Sequence, residues 1–154
     1  MIKPFSLQPL MNLAQHQSDS ATRKLGQLNQ KQQSAQEKLE ILQQYRRDYQ
    51  TRLQESTQTG MNPAELRNFQ QFINKLDEAI HQQLNAVEQS KMSTQAGRSE
   101  FDTTQRKLKS FDMLQQRHIE EQKKVAEKSE QKALDEHTGR FAALKMIKAE
   151  NPNT

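Results

Sequence analysis

The sequence predicts an all-α fold: a long antiparallel two-helix coiled-coil hairpin with an overhanging C-terminal helical or disordered tail. Three observations carry this. Apolar residues recur at a mean spacing of 3.5 over most of the chain, the repeat that keeps one face of a helix against a partner. One interior stretch, residues 56–63 (STQTGMNP), interrupts it. Apolar residues make up 32% of the 154 residues and mean hydropathy is −1.10. That is too little to fill a three-dimensional core, since globular domains carry about 45–50% on a similar count, but it is enough for a narrow seam.

The first helix is expected over residues 8–55. Steps alternating four and three pick out Leu7, Met11, Ala14, Ser18, Ala21, Leu25, Leu28, Gln32, Ala35, Leu39, Leu42, Arg46, Tyr49 and Leu53. Most are apolar, while the residues between them are mostly polar. A helix of this length spans about 70 Å, and its other faces are too polar for it to stand without a partner. The polar members Ser18, Gln32 and Arg46 set the register at some cost in stability.

The turn is expected at residues 56–62. Gly60 can leave the helix in a left-handed conformation. Asn62 then caps the second helix, with Pro63 at its first position and Glu65 placed as in a capping box. Centring the turn near Thr59 sets Leu42 opposite Leu76, Tyr49 opposite Phe69 and Tyr45 near Phe72. It also sets Leu39 near Ala79 and Ile80, and Leu7 near Phe111.

The second helix is expected to pair over residues 63–112. Its seam reads Leu66, Phe69, Ile73, Leu76, Ile80, Gln83, Val87, Ser90, Thr94, Gly97, Phe101, Thr104, Leu108 and Phe111. Small residues between Ser90 and Gly97 either let the helices approach closely or allow bending, and Gly97 costs a helix about 1 kcal/mol relative to Ala. The first helix is used up near Asp112, so residues 113–154 overhang. In this overhang Val125, Leu134, Phe141, Leu144 and Ile147 give a broken apolar pattern. Two readings stay open for it: a disordered tail, or a segment that orders on a partner. The seam end near Phe101 and Phe111 could also pair with a second copy. The whole chain, 1–154, reads as a single coiled-coil unit.

Several function classes are disfavoured. Net charge is +4 with both signs interspersed along the chain, as on a solvated helix surface, so no basic stripe for nucleic acid is expected. The chain has no cysteine, hence no disulfide or thiolate chemistry. His16, His81, His118 and His137 lack paired-ligand spacing, and the four glycines are isolated. No catalytic residue, metal site, cofactor or small-molecule substrate is expected, and the chain is read as not an enzyme. No apolar run approaches the roughly 20 residues of a membrane span, so a soluble cytoplasmic protein is expected.

Tyr45 and Phe72 fall beside the seam, close to the turn, with Leu42, Tyr49, Leu76 and Ala79 as neighbours along the stripe. They either widen the core where aromatic rings need room or form an apolar patch for a partner.

Residues 35–52 (AQEKLEILQQYRRDYQTR), the Gly60 turn and residues 68–83 (NFQQFINKLDEAIHQQ) resemble the FliJ family of flagellar type III export proteins. Weaker blocks follow at residues 108–117 and 130–140. The resemblance implies a non-enzymatic coiled coil similar to the central stalk of rotary ATPases. Such a stalk inserts in the ring of the export ATPase FliI and promotes its assembly and activity. It also contacts the cytoplasmic linker of the export gate protein FlhA, and export chaperones are further implied partners. The implied location is cytoplasmic, peripherally associated with the inner membrane at the flagellar base. The implied gate-binding patch is Leu42, Tyr45, Tyr49, Phe72, Leu76 and Ala79. The family's Gln and His at two flanking positions correspond here to Lys38 and Gln83. The alternatives are an export chaperone or chaperone escort, the equivalent stalk of a virulence-type injection system, and a plain tether between two partners.

Overall fold

A computed structural model describes residues 3–150. They form two helices, α1 (Gln8–Thr59) and α2 (Pro63–Glu150), with no strand among the described residues. Gln15–Arg106 makes one compact unit, and the described residues up to Ala14 together with those from Lys107 make the other.

In the Gln15–Arg106 unit the end of α1 and the start of α2 lie antiparallel around the turn. The break is shorter than the sequence suggested, only Gly60, Met61 and Asn62. Residues 56–59 remain helical, and the hydroxyls of Thr57 and Thr59 turn back onto the helix's own carbonyls. Thr57 Oγ1 donates to Gln54 O at 2.8 Å, and Thr59 Oγ1 lies 3.2 Å from Ser56 O. Gly60 then turns the chain at a φ of 96°, a region that side-chain-bearing residues enter only with strain.

Asn62 starts α2 in two ways. Its Oδ1 accepts the Ala64 N–H at 3.1 Å, and its carbonyl accepts the Leu66 N–H at 3.1 Å. Glu65 adds a negative charge in the first turn, where the helix dipole favours it. Asn62→Ala leaves the Ala64 donor without this partner and is expected to lower stability by about 1 kcal/mol. A urea melt of the two proteins checks this; identical midpoints would remove the cap from the account.

Because α1 runs on to Thr59, the cross-helix register differs from the expected one by about one turn. Polar links record it: Ser18 to Gln105, Lys24 to Glu100, Leu28 to Thr94 and Arg46 to Asp77. Each partner on α2 lies further along than a turn centred at Thr59 would place it. Gln83 reaches back along the groove to donate to Ala35 O at 2.8 Å, which a long side chain permits. The seam itself is where the sequence put it. In this unit Ala21, Leu39, Ile73, Leu76 and Val87 are its buried apolar members.

Ser18, Thr94 and Arg46, polar members of the seam, are satisfied rather than merely tolerated. Ser18 is buried and accepts the Gln105 amide at 2.6 Å. Thr94 is buried with its hydroxyl 2.9 Å from Ser90 O and 3.3 Å from Leu28 O. Arg46 forks onto the two carboxylate oxygens of Asp77. This hydrogen bond first, and the Asp77 charge second, raise the guanidinium pKa above its ordinary value. Such bonds have directions, so they choose one axial register where an all-leucine seam would accept several.

Gly97 is buried and faces Leu28. A Cβ placed on it would lie 2.5 Å from Leu28 Cδ1. Of the two roles open to the small residues here, close helix approach is the one realised, and α2 is continuous through the position.

In the second unit, pairing passes Asp112. Gln115 donates to Gln8 Oε1 at 3.3 Å, His118 Nε2 lies 2.9 Å from Lys3 O, and the Phe5 and His118 rings are 5.6 Å apart. Residues 115, 118 and 122 continue the four-three repeat past Phe111 and are half-buried. Residues 123–150 are exposed throughout yet helical to Glu150. Of the two forms open to the tail, helix is the one found.

Candidate partner-binding site

The six residues of the apolar stripe are all in the Gln15–Arg106 unit, but they differ in what they offer a partner. Leu76 is 7% exposed and belongs to the seam. Leu42, Tyr49 and Ala79 are half-buried. Tyr45 and Phe72 stand out, 53% and 39% exposed. Helical spacing explains the division. Leu42 and Tyr49 are seam positions, whereas Tyr45 lies between them on the flank of α1, and Phe72 lies one residue before the seam position Ile73 on α2.

Of the aromatic contacts expected, Tyr49 against Phe69 is found and Tyr45 against Phe72 is replaced. Tyr49 is the hub: its ring centroid is 4.2 Å from that of Phe72, tilted by 32°, and 6.1 Å from that of Phe69, edge-on at 60°. Phe72 was expected beside Tyr45; the one-turn change of register brings it against Tyr49 instead. The Arg52 guanidinium sits 5.5 Å from the Tyr49 ring centroid, within the range at which a cation is attracted by a ring face. Tyr49 is thus held on three sides, and Phe72 is oriented by stacking with its outer face left open.

Ile41, half exposed, lies one turn before Tyr45 on the same flank of α1. It extends the apolar surface and did not figure among the candidate residues. The signal was available: like Tyr45, it is a large apolar residue off the 3.5 repeat. Gln83, one of the two positions where the flanking pattern departs, is engaged with Ala35 O, so it acts as a strut across the helices. Lys38 is exposed.

Chemically, this surface supports binding rather than reaction. It presents aromatic and aliphatic area fixed on two rigid helices, edged by Arg52, with little rotamer freedom to lose on association. No group of His, Asp and Glu suited to holding a metal occurs among the described residues. Among them, too, no helix is long and apolar enough to cross a membrane.

The family described as Flagellar FliJ protein matches residues 3–146 of this chain. The Flagellar FliJ protein of Salmonella typhi is 28% identical over 140 residues, covering 91% of this chain and 95% of the relative. That of Escherichia coli (strain K12) is 27% identical over the same shares of the two chains. With the match running through both helices and the turn, the chain belongs to the flagellar FliJ protein family.

Proposed function

We propose that this protein is the non-enzymatic stalk of the flagellar type III export apparatus. It inserts in the ring of the export ATPase FliI, promotes ring assembly and turnover, and meets the cytoplasmic linker of the gate protein FlhA with its turn-proximal apolar flank. The observation that carries the reading is the pairing of family membership over nearly the whole chain with exposed Tyr45 and Phe72 beside the stacked Tyr49. Isolated surface hydrophobes are ordinary; a contiguous aromatic patch ordered by stacking points to a partner. Export chaperones are further partners on this reading. Its association with the inner membrane comes through the gate protein.

The action is mechanical. A stalk inside a ring touches the subunits unequally and so favours different nucleotide states at different positions. It shifts those states only by its differential affinity for them. Rigidity is therefore the property required of it, and the directional links at Ser18, Thr94, Gln83 and Arg46 supply resistance to axial slip.

ATP turnover by the cognate export ATPase, with and without this protein, tests the proposal. Stimulation that saturates below one copy per ATPase subunit is expected. No stimulation of an ATPase shown to be competent would favour an export chaperone or a tether, and tight binding of an unfolded export segment would identify the former.

A further inference from the structure

Beyond the pairing with the N-terminal residues, α2 carries a second stripe that no described residue covers. Glu130, Leu134, His137, Phe141, Leu144 and Lys148 follow one another in steps of four and three, which places them on one face. All are exposed, and Leu134, Phe141 and Leu144 are exposed by 62%, 63% and 61%. The helix is continuous beneath them to Glu150, so the face is already built and need not order on binding.

The arrangement of charge selects the occupant. The face begins with a carboxylate at Glu130, preceded one turn earlier by Glu127, and ends with Lys148, preceded by Lys145. Between these ends lie Leu134, Phe141 and Leu144, with His137 among them. Reversed end for end, it is complementary to itself: Glu130 meets Lys148 of a second copy, Leu134 meets Leu144, and His137 meets Phe141. The two-fold axis repeats each layer on the other side. An anionic lipid surface would accept Lys145 and Lys148 but repel Glu127 and Glu130 at the other end.

We propose that residues 130–148 of α2 are a homotypic docking face on which a second copy of this chain pairs antiparallel. An isologous two-fold contact closes on itself and stops at the dimer. The face is short, so the interface falls below about 1,200 Å², the size of weak, transient contacts.

Charge reversal in the full chain tests this through sedimentation equilibrium over a concentration series that runs up to the solubility limit. Wild type should pass from monomer to dimer. Glu130→Lys and Lys148→Glu should each stay monomeric, because every copy then carries two like-charged layers. Mixed in equal amounts, these two variants should associate with each other at least as well as wild type does with itself. Both positions are exposed, so helicity by circular dichroism should be unchanged. Monomeric wild type at the highest concentration would overturn the proposal. So would self-association undiminished in both variants, which would place the contact elsewhere on the chain. Flotation of monomeric wild type with phosphatidylglycerol vesicles would overturn it in favour of lipid.

Discussion

Gly97→Leu should lower the melting temperature by about 10 °C. The Leu28 methyl already occupies the place where even a Cβ would sit, at 2.5 Å, and a branched side chain there would force the helices apart. Overpacking of this kind costs about 3 kcal/mol, and each kcal/mol is about 2–4 °C for a chain of this size. The separation would also break the approach of Thr94 Oγ1 to Leu28 O. Gly97→Ala is the informative control. Its single methyl meets the mobile end of Leu28, and alanine gains about 1 kcal/mol of helix propensity, so the net change should stay within about 1 kcal/mol. Thermal melts followed at 222 nm compare the three proteins. Were leucine tolerated as well as alanine, Gly97 would mark a flexible point rather than a close approach.

Tyr45→Ala/Phe72→Ala should weaken binding to the FlhA linker by a factor of about 30 to 1,000, the range of aromatic anchors that fill a partner's pocket. Turnover of the ATPase should remain stimulated, because on the proposed reading the ring grips the coiled coil away from the turn. Tyr45 carries the cleaner half of the test, since Phe72 also stacks on Tyr49. Leu76→Ala makes the opposite prediction although it belongs to the same stripe. Being 7% exposed, Leu76 should act by destabilising the seam by about 2–3 kcal/mol, with the folded protein still binding. Calorimetric titration alongside a melt separates the two effects. Equal loss of affinity from Leu76→Ala without loss of stability would mean that the binding face is the seam itself.

The seam was fully legible in the sequence. Every position assigned to it, from Leu7 to Leu53 and from Leu66 to Phe111, is buried or half-buried in the structure. A 3.5 repeat is a local property, fixed by helical geometry once a helix forms, so it survives without knowledge of the partner. The register was not legible to the same degree. It depends on which residue ends α1, and Ser56, Thr57 and Thr59 read equally well as turn formers or as helix residues whose hydroxyls bond backwards. That choice changed which ring Phe72 meets, while leaving Tyr45 and Phe72 identifiable as the off-seam aromatics. Pairing beyond Asp112 was hidden for a different reason. Gln115 and His118 continue the repeat with polar side chains, and a count of apolar positions passes over them. Along the tail's continuous helix the side-chain bonds are local, such as Gln131 to Asp135 and Thr138 to Leu134 O, each weak alone and visible only as spacing.

The thinness of the seam has a thermal consequence. The buried apolar side chains among the described residues are Ala14, Ala21, Leu39, Ile73, Leu76 and Val87, two of them alanines. Unfolding therefore wets little hydrocarbon, and the accompanying heat-capacity increment should fall well below the about 12–15 cal/mol/K per residue of globular domains. The free-energy curve is correspondingly shallow. Chilling, which weakens proteins that rely on large hydrocarbon interiors, costs this one little, and its margin over the coil state varies slowly from cold to warm.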